Sequence, residues 1–585
     1  HVGFRSLWPQ GREGSNPSLR TMIKKTIKRP DTAEVLKFVP LGGFEEVGRN
    51  CMFFEYQDEI VVIDAGLQFP EESTPGIDYI ITNVSYLQGK KQNVKALIIT
   101  HGHYDHIGAI PYIIHKLGNP PIYAAAITGE IIKKRQDDFP NQPKLNIITV
   151  KHGDKVKFGR HFEAEFFDLD HTIPDTLGVI LKTPMGNMVH FCDFKFDYDH
   201  DDNPIGLDDY ARIGQMGVHT LFMDSTNSEH PGISVSERLV EKTLEELFKK
   251  AEGRIIVATF SSLITRLGEI IKIAARLKRK VFVSGYSMKT NLQIAQNLGY
   301  LKFEKGTILP IEEMHKYKDD KVLVVCTGAQ GEPNATLMRV ANGEHKFIKS
   351  KKGDTIILSS SIIPGNEYAV QVLKDNLTRQ GAKIYQSSHV DIHSSGHAPK
   401  EELKKVVELI KPKYLVPVHG YYFMRSANKE NAMEVGVPEN NILLMDNGQV
   451  AEFTPSSARI TDKTVDAFYV MVDGLGVGDV GEVVLRDRRI LSAEGMLVLI
   501  LTLDKEKGHL LKKPDIISRG FIYLKENQGI LDEIRGKIKN IIERIPRHQP
   551  LDPDYVKTLL RDQLGAFIYN KTHRRPMILP VVIEV

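Results

Sequence analysis

From Leu36 to Gly66 apolar runs alternate with glycine turns, LKFVPLGG, NCMFFEY and EIVVIDAG, a pattern that predicts a β-meander opening a domain. Lys95 to Thr100 reads as a buried strand, and Ile107, Ile110, Ile114 and Leu117 recur after it at helical spacing. Beyond Asp224 the rhythm becomes a regular alternation of strand and helix. Ser234 and Glu237 are spaced as a capping box, with Val240, Leu244, Leu247 and Phe248 as the apolar face of the helix it would start. RIIVAT, KVFVS and KVLVVCT then read as strands separated by helices from Ile264 to Leu277 and from Met288 to Leu298, an α/β module ending near residue 375. In the last unit, 459–585, Met496 to Leu503 reads as a strand, Ile530 to Ile545 and Tyr555 to Tyr569 as helices, and LPVVIEV as a closing strand. No cluster of reactive side chains appears there, so assembly, ahead of RNA contact, is its expected role.

The turn after Thr100 holds His101, His103, Asp105 and His106. A single histidine at a strand end is ordinarily a hydrogen-bonded surface or core residue. Three histidines and an aspartate within six positions have no packing rationale, and imidazole with carboxylate is the donor set that zinc takes and manganese tolerates. In such a turn His101 and His103 can face one cation while Asp105 and His106 reach a second. His171 in FFDLDHTIPDTLG and Asp193 in MVHFCDFKFD, weak signals as single residues, supply a third histidine and a carboxylate able to bridge two cations. Asp64 either caps its own turn or accepts a hydrogen bond that fixes a ligand's tautomer. His393, His397 and His419 arrive on strand ends or adjoining turns after about 200 residues without a comparable cluster, so the α/β module reads as an insertion into a first domain that resumes afterwards. Loops inside the module, TFSS, TGAQGEP and SSSIIPGN, present N–H and hydroxyl groups of the kind that meet phosphates, though ordinary turns look the same.

Composition narrows the class. The chain of 585 residues is long enough for roughly three to four domains, and 41% hydrophobic with 26% charged residues is globular. A net charge of +3 is close to neutral at this length, so any nucleic-acid binding has to come from local patches. Three widely spaced cysteines, Cys51, Cys192 and Cys326, argue for a reducing, cytoplasmic setting, and the apolar runs are strand-length, which leaves no membrane partner. His1 to Arg20 is polar, basic and aperiodic. Its GSNP back-translates to the T-arm sequence of a transfer-RNA gene, so 1–21 is expected to be a non-native or disordered extension and Met22 the start.

Taken together, HGHYDH at 101–106, His171, Asp193 and PVHG at 417–420, with Asp64 before them, resemble the metallo-β-lactamase superfamily. DSTN at 224–227 and SGH at 395–397 resemble its β-CASP nuclease branch, and DFKFD, TGAQGEP, IPGN, ISRGF and RRPMILP narrow the likeness to the ribonuclease J family. The resemblance implies an α/β fold: a metallo-β-lactamase αββα sandwich in two parts, 22–222 and 376–458, a β-CASP domain at 223–375, and a small C-terminal α+β domain at 459–585. It implies that His101, His103 and His171 hold one divalent metal, that Asp105, His106 and His419 hold a second, that Asp193 bridges them, and that Asp64 orients ligands from behind. Asp105, Asp224 and His397 would serve catalysis, His397 as proton donor to the leaving group and Asp224 as its partner. Ser262, Leu263 and Ile264 with His393, Ser394, Ser395, Gly396 and His397 would hold RNA phosphates. The sequence departs from the family pattern at Tyr104, Cys192, Leu263 and Tyr421, and no proposed ligand is among these.

The implied activity is metal-dependent hydrolysis of RNA, 5′-to-3′ from 5′-monophosphate ends with endonucleolytic cuts, in rRNA maturation and mRNA decay. The implied cofactors are two ions of zinc, with manganese as the alternative. The implied assembly is a homodimer or homotetramer, with further RNA-degradation proteins as possible partners. A small-molecule hydrolase would not need a second α/β domain over the metals, and a non-catalytic RNA-binding subunit would not need the full donor set.

Overall fold

The computed structural model describes residues 34–71, 73–363, 365–505, 507–522, 528–546 and 552–585. The segment 1–21 lies outside them. Two sheets stack face to face. One has eight strands in the order Ala458–Thr464, Gln449–Phe453, Leu36–Gly42, Cys51–Tyr56, Glu59–Ile63, Val94–Ile98, Ile122–Ala124 and Ile147–Thr149. The other has six, in the order Tyr414–Val418, Val218–Asp224, Gly186–Phe191, Thr176–Thr183, Phe162–Leu169 and Lys155–Phe158.

The strands of the first sheet are apolar at successive positions because both of its faces are covered. Phe38, Phe54, Val61, Ile63 and Ile98 meet Phe166, Val179, Met188 and Phe222 of the second sheet between the layers. Val39, Phe53, Val62 and Leu97 point the opposite way, toward helix Ala126–Gln136 and the short helices Tyr104–Ile107 and Ile110–Ile113. Helices Asp208–Gln215, Lys400–Ile410 and Tyr422–Glu434 cover the outer face of the second sheet. This is the αββα sandwich, its first strands forming the expected meander.

The inserted module is a six-stranded, all-parallel sheet with helices on both faces, and Lys383–Gln386 is its edge strand. It therefore runs past the residue 375 read from the sequence, because helix Glu367–Arg379 returns to one more strand. Its opening helix, Glu237–Lys250, buries Val240, Leu244, Leu247 and Phe248. The capping box does not form. Ser236 is the N-cap, accepting from Leu239 N at 3.3 Å. Ser234 bonds Glu402 instead, and the Glu237 carboxylate turns to Lys195 and Arg266, two cations that outbid a helix-end amide.

Strand Tyr469–Asp473 pairs with Tyr79–Thr82, so the chain remains tied to the first domain beyond residue 459. The final unit is a three-stranded sheet, Asp515–Arg519, Met496–Leu503 and Met577–Glu584, backed by helices Gln528–Glu543 and Pro553–Thr572. Leu497, Leu499, Leu501 and Leu503 face those helices, while Ile517, Leu579, Val581 and Ile583 on the other strands are exposed. Among the described residues no helix is long and apolar enough to cross a membrane.

Candidate metal centre

Parallel strands end at one edge of a sheet, and this chain uses that edge as its chemical face. Glu59–Ile63 and Val94–Ile98 run parallel and deliver Asp64 and the 101–106 turn side by side. Gly186–Phe191, Val218–Asp224 and Tyr414–Val418 are also parallel neighbours and end at Asp193, Asp224 and His419. The backbones of Asp64 (φ 61°) and His419 (φ 49°) lie in the left-handed region, a conformation that the surrounding bonds have to hold. For Asp64 those bonds are Thr100 N to Oδ1 at 2.9 Å and Thr100 Oγ1 to Oδ2 at 3.0 Å.

Hydrogen bonds fix which nitrogen each imidazole presents. His171 donates from Nδ1 to Gly396 O at 2.6 Å, so its Nε2 carries a lone pair, and that atom lies 3.2 Å from His103 Nδ1. His103 Nδ1 is in turn 3.0 Å from His101 Nε2. His106 donates from Nδ1 to Asp64 Oδ2 at 2.8 Å, which aims its Nε2 at Asp193 Oδ2, 3.2 Å away. His419 Nδ1 faces Asp193 Oδ1 at 3.1 Å and Asp224 Oδ1 at 3.3 Å. Its Nε2 points toward Asp105 Oδ2 at 3.6 Å.

Three overlapping donor groups result, His101, His103, His171 and Asp193, then Asp105, His106, Asp193 and His419, and then Asp193, Asp224, His397 and His419, the ligand atoms within each lying within 4.8 Å of one another. Asp193 belongs to all of them. His419 Nε2 and Asp193 Oδ1 are buried without a hydrogen-bond partner, and three ring nitrogens crowd together around His103. Leaving buried polar atoms unmatched is costly, and divalent cations would satisfy all of them. The donors therefore fit metal.

The electrostatics agree. Burial pushes the pKa of His103 down to about 4 and that of His171 to about 3, and holds His101 well below its usual range, so all three present neutral rings. Burial works against charge on Asp105 and Asp193 too, but His106 and His419 outweigh it and keep both carboxylates ionised; against burial, these acids in turn raise His106 and His419 well above the usual imidazole range, so a cation binding there would displace their protons. Histidines are the charged partners of Asp105, Asp193 and Asp224 among the described residues.

In the third group, His397 Nδ1 lies 2.8 Å from Asp224 Oδ2. Burial lowers the His397 pKa, and Asp224 followed by Asp193 more than reverses this, leaving it raised. Asn227 donates to Ser395 Oγ and to His397 O, both at 2.8 Å, which ties DSTN to SGH. Ser394 Oγ accepts from Lys195 at 3.1 Å, and the half-buried His393 is held below its usual pKa by burial and then by Arg266. Of the 262–264 trio, Leu263 and Ile264 are buried, and their N–H groups bond Phe260 O and Ser262 O, leaving Ser262 as the accessible member.

Four stretches match described families: 45–250 the metallo-beta-lactamase superfamily, 252–377 the ribonuclease J beta-CASP domain, 388–442 the Zn-dependent metallo-hydrolase RNA specificity domain, and 483–585 the ribonuclease J C-terminal domain. Ribonuclease J2 of Bacillus subtilis (strain 168) is 37% identical over 560 residues, covering 96% of this chain and all of that protein. The chain belongs to the ribonuclease J family. Ribonuclease J 1 of Streptococcus pyogenes serotype M3 is 39% identical over 543 residues, 93% of this chain and 96% of that one. A crystal structure of a protein of unknown function from Enterococcus faecalis V583 shares the fold, with a TM-score of 0.50 at 17% identity over 73% of this chain and 100% of that one. As a member of this family, the protein is a metal-dependent ribonuclease: it uses divalent metal, and its substrate is RNA.

Sequence reading missed several supports of this centre. Asn50 places Nδ2 3.1 Å from His106 Nε2 and donates its backbone N–H to Asp105 O at 2.9 Å. Thr100 touches Asp64, His101 and His106. Lys195, Glu237 and Arg266 form a largely buried charge relay behind residues 392–394, since Arg266 also donates to Ile392 O at 3.2 Å. Lys195, the cation between Phe194 and Phe196 in DFKFD, was the one available signal.

Proposed function

We propose that this ribonuclease works with two divalent ions, zinc by preference and manganese as the alternative. His101, His103 and His171 would hold one ion, Asp105, His106 and His419 the other, with Asp193 between. The observation that carries this reading is the shared Asp193 between two donor groups, with the His397–Asp224 pair alongside. When bound, the ions supply the Lewis acidity that activates water and offsets charge on the scissile phosphate. Asp64 fixes the His106 tautomer, and Asp224 holds His397 protonated and oriented. Water gives up a proton to solvent as its oxygen adds to phosphorus, the bond from phosphorus to the 3′ oxygen breaks, and His397 gives that oxygen its proton and is reprotonated from solvent, leaving a 3′-hydroxyl and a 5′-phosphate.

The preferred mode is 5′-to-3′ exonucleolysis from 5′-monophosphate ends, with endonucleolytic cleavage as a second mode, in rRNA maturation and mRNA decay. Ser262 and the 393–397 loop would receive the terminal phosphate, with Leu263 and Ile264 supporting it from the core. The domains divide as a sandwich in two parts around the inserted module, with a C-terminal unit for assembly into a homodimer or homotetramer and for RNA-degradation partners. The free, buried Cys51, Cys192 and Cys326 support a cytoplasmic setting.

The test uses metal-quantified protein and RNA carrying a labelled 5′-monophosphate, beside a variant with Asp105→Ala and His106→Ala. Labelled mononucleotide released by the parent alone is the expected result. Internal fragments without mononucleotide would reverse the order of the two modes, and intact RNA with zinc, manganese and magnesium alike would sink the assignment of the centre.

A further inference from the structure

The rim of the centre carries exposed aromatic rings where a soluble protein has no packing need for them. Tyr104 stands between His103 and Asp105 and is 38% exposed. Tyr421 stands two residues after His419, also 38% exposed, and Phe423 beyond it is 51% exposed. The two rings of Tyr421 and Phe423 lie parallel, 5° apart in plane with centroids 6.1 Å apart. Phe69, 61% exposed, stands 6.1 Å from the ring of Tyr79. The Arg135 guanidinium packs on both Tyr79 (5.2 Å) and Tyr104 (5.4 Å), which makes Phe69, Tyr79 and Tyr104 one connected rim. Glu71, two residues past Phe69, lies close enough to Tyr421 to raise the pKa of its hydroxyl, burial being the larger cause.

Both ends of this rim are anchored at the Asp105 and His419 side of the centre, where Asp105 is partly exposed and His419 Nε2 faces it at 3.6 Å. The geometry points to an aromatic collar on which the bases of the RNA strand stack as it enters, with Tyr421 and Phe423 as its principal platform. This rests on the ribonuclease reading and adds to it a group of positioning residues that grip bases rather than phosphates.

Charge supports bases over phosphates. The anions nearest the collar are Glu71 and Glu46 beside Tyr421 and Asp138 beside Tyr104, while its cations, Arg135 and Arg425, are buried and already engaged with rings and a backbone carbonyl. Phosphates therefore find little here, whereas every base has a π face and stacks without regard to sequence. A protein seated on the same rings would cover the exposed edge of Asp105 and shut out the substrate. The platform is stiff as well: Arg425, fully buried at the next turn, donates to Gly420 O at 3.1 Å and stacks under Tyr422 at 5.7 Å. A rigid ring loses little entropy when a base lands on it.

The experiment compares the metal-loaded parent with a Tyr421→Leu, Phe423→Leu double variant and with Tyr421→Trp. Each acts on 5′-monophosphorylated RNA oligomers and on matched oligomers carrying one abasic ribose at successive positions. Stacking predicts that KM of the double variant for base-bearing RNA rises about tenfold or more while kcat stays within about twofold, that Tyr421→Trp retains the parent's KM, and that the parent's penalty for an abasic position beside the scissile phosphate disappears in the double variant. Bound metal, measured in parallel, should be unchanged. Equal KM and an equal abasic penalty in parent and double variant would overturn the collar while leaving the nuclease intact. So would a change in sedimentation with KM unchanged, which would make the rings a protein-docking surface. A parent that does not hydrolyse RNA at all would instead fail the ribonuclease reading beneath it.

Discussion

His171 holds its place because Gly396 has no side chain. A Cβ at residue 396 would stand 2.5 Å from His171 Cε1 and 2.8 Å from Nδ1, breaking the bond to Gly396 O that fixes the tautomer. Gly396→Ala is therefore expected to lower affinity for one of the two proposed ions about 10- to 100-fold, as loss of a ligand's orienting partner does. Metal analysis after dialysis against a graded chelator checks this, one ion being released before the other. His397 tests a different step. His397→Ala is expected to retain both ions and to lose about 10²- to 10⁴-fold in kcat on RNA, with a much smaller loss on a phosphodiester whose leaving group is acidic enough to depart unprotonated. Equal losses on the two substrates would remove His397 from the proton-donor role. Reading the sequence picked out side chains whose type is expensive to bury, which is why HGHYDH, His171, Asp193 and His419 stood out. Asn50 and Thr100 did not, because amides and hydroxyls are common at strand ends and only the fold shows that these two touch His106.

Elements were legible where one face alone had to be apolar. The spacing of Val240, Leu244, Leu247 and Phe248 matches the buried face of helix Glu237–Lys250, and residues 496–503 alternate between half-buried and buried positions as a strand should. The start of that helix was misread because a glutamate three residues after a serine is a local signal, and the cations that capture Glu237 come from residues 195 and 266. The same capture yields a pH prediction. Burial pushes the Glu237 carboxyl up, but Arg266 and Lys195 bring it from 4.5 to about 2. A carboxyl lowered in the folded state contributes stability that is full above its unfolded pKa and lost as pH falls through its folded one. The unfolding free energy of the parent in urea should thus exceed that of Glu237→Gln by a margin that is steady above about pH 5 and shrinks toward pH 2, the shrinking part being on the order of 3 kcal/mol. A margin independent of pH would mean that packing, and not charge, is what Glu237 supplies.

At the scale of the whole molecule, the division into a split sandwich, an insertion and a final unit was readable from where the histidines stop and resume. The boundaries were not, because Lys383–Gln386 adds one more parallel strand to Thr355–Leu358 after helix Glu367–Arg379, and Tyr469–Asp473 pairs with Tyr79–Thr82, far earlier in the chain. The final unit poses the question of assembly. Its sheet has one face filled by two helices and the other left with Ile517, Leu579, Val581 and Ile583 exposed. A patch of that kind is the surface on which the proposed assembly would draw. Three strands of this length cover only about 400 Å² at the usual strand spacing, about half of what one partner contributes to a stable interface. Met577–Glu584 is an edge strand whose outer N–H and C=O groups can continue the sheet into a second copy and supply the remainder. Val581→Lys together with Ile583→Lys places two charges on the bare face without touching the leucines that pack the helices. The expected outcome is dissociation to monomers by sedimentation at micromolar concentration, with helical circular dichroism and metal content unchanged. A variant that sediments with the parent would remove this sheet from the proposed interface between copies.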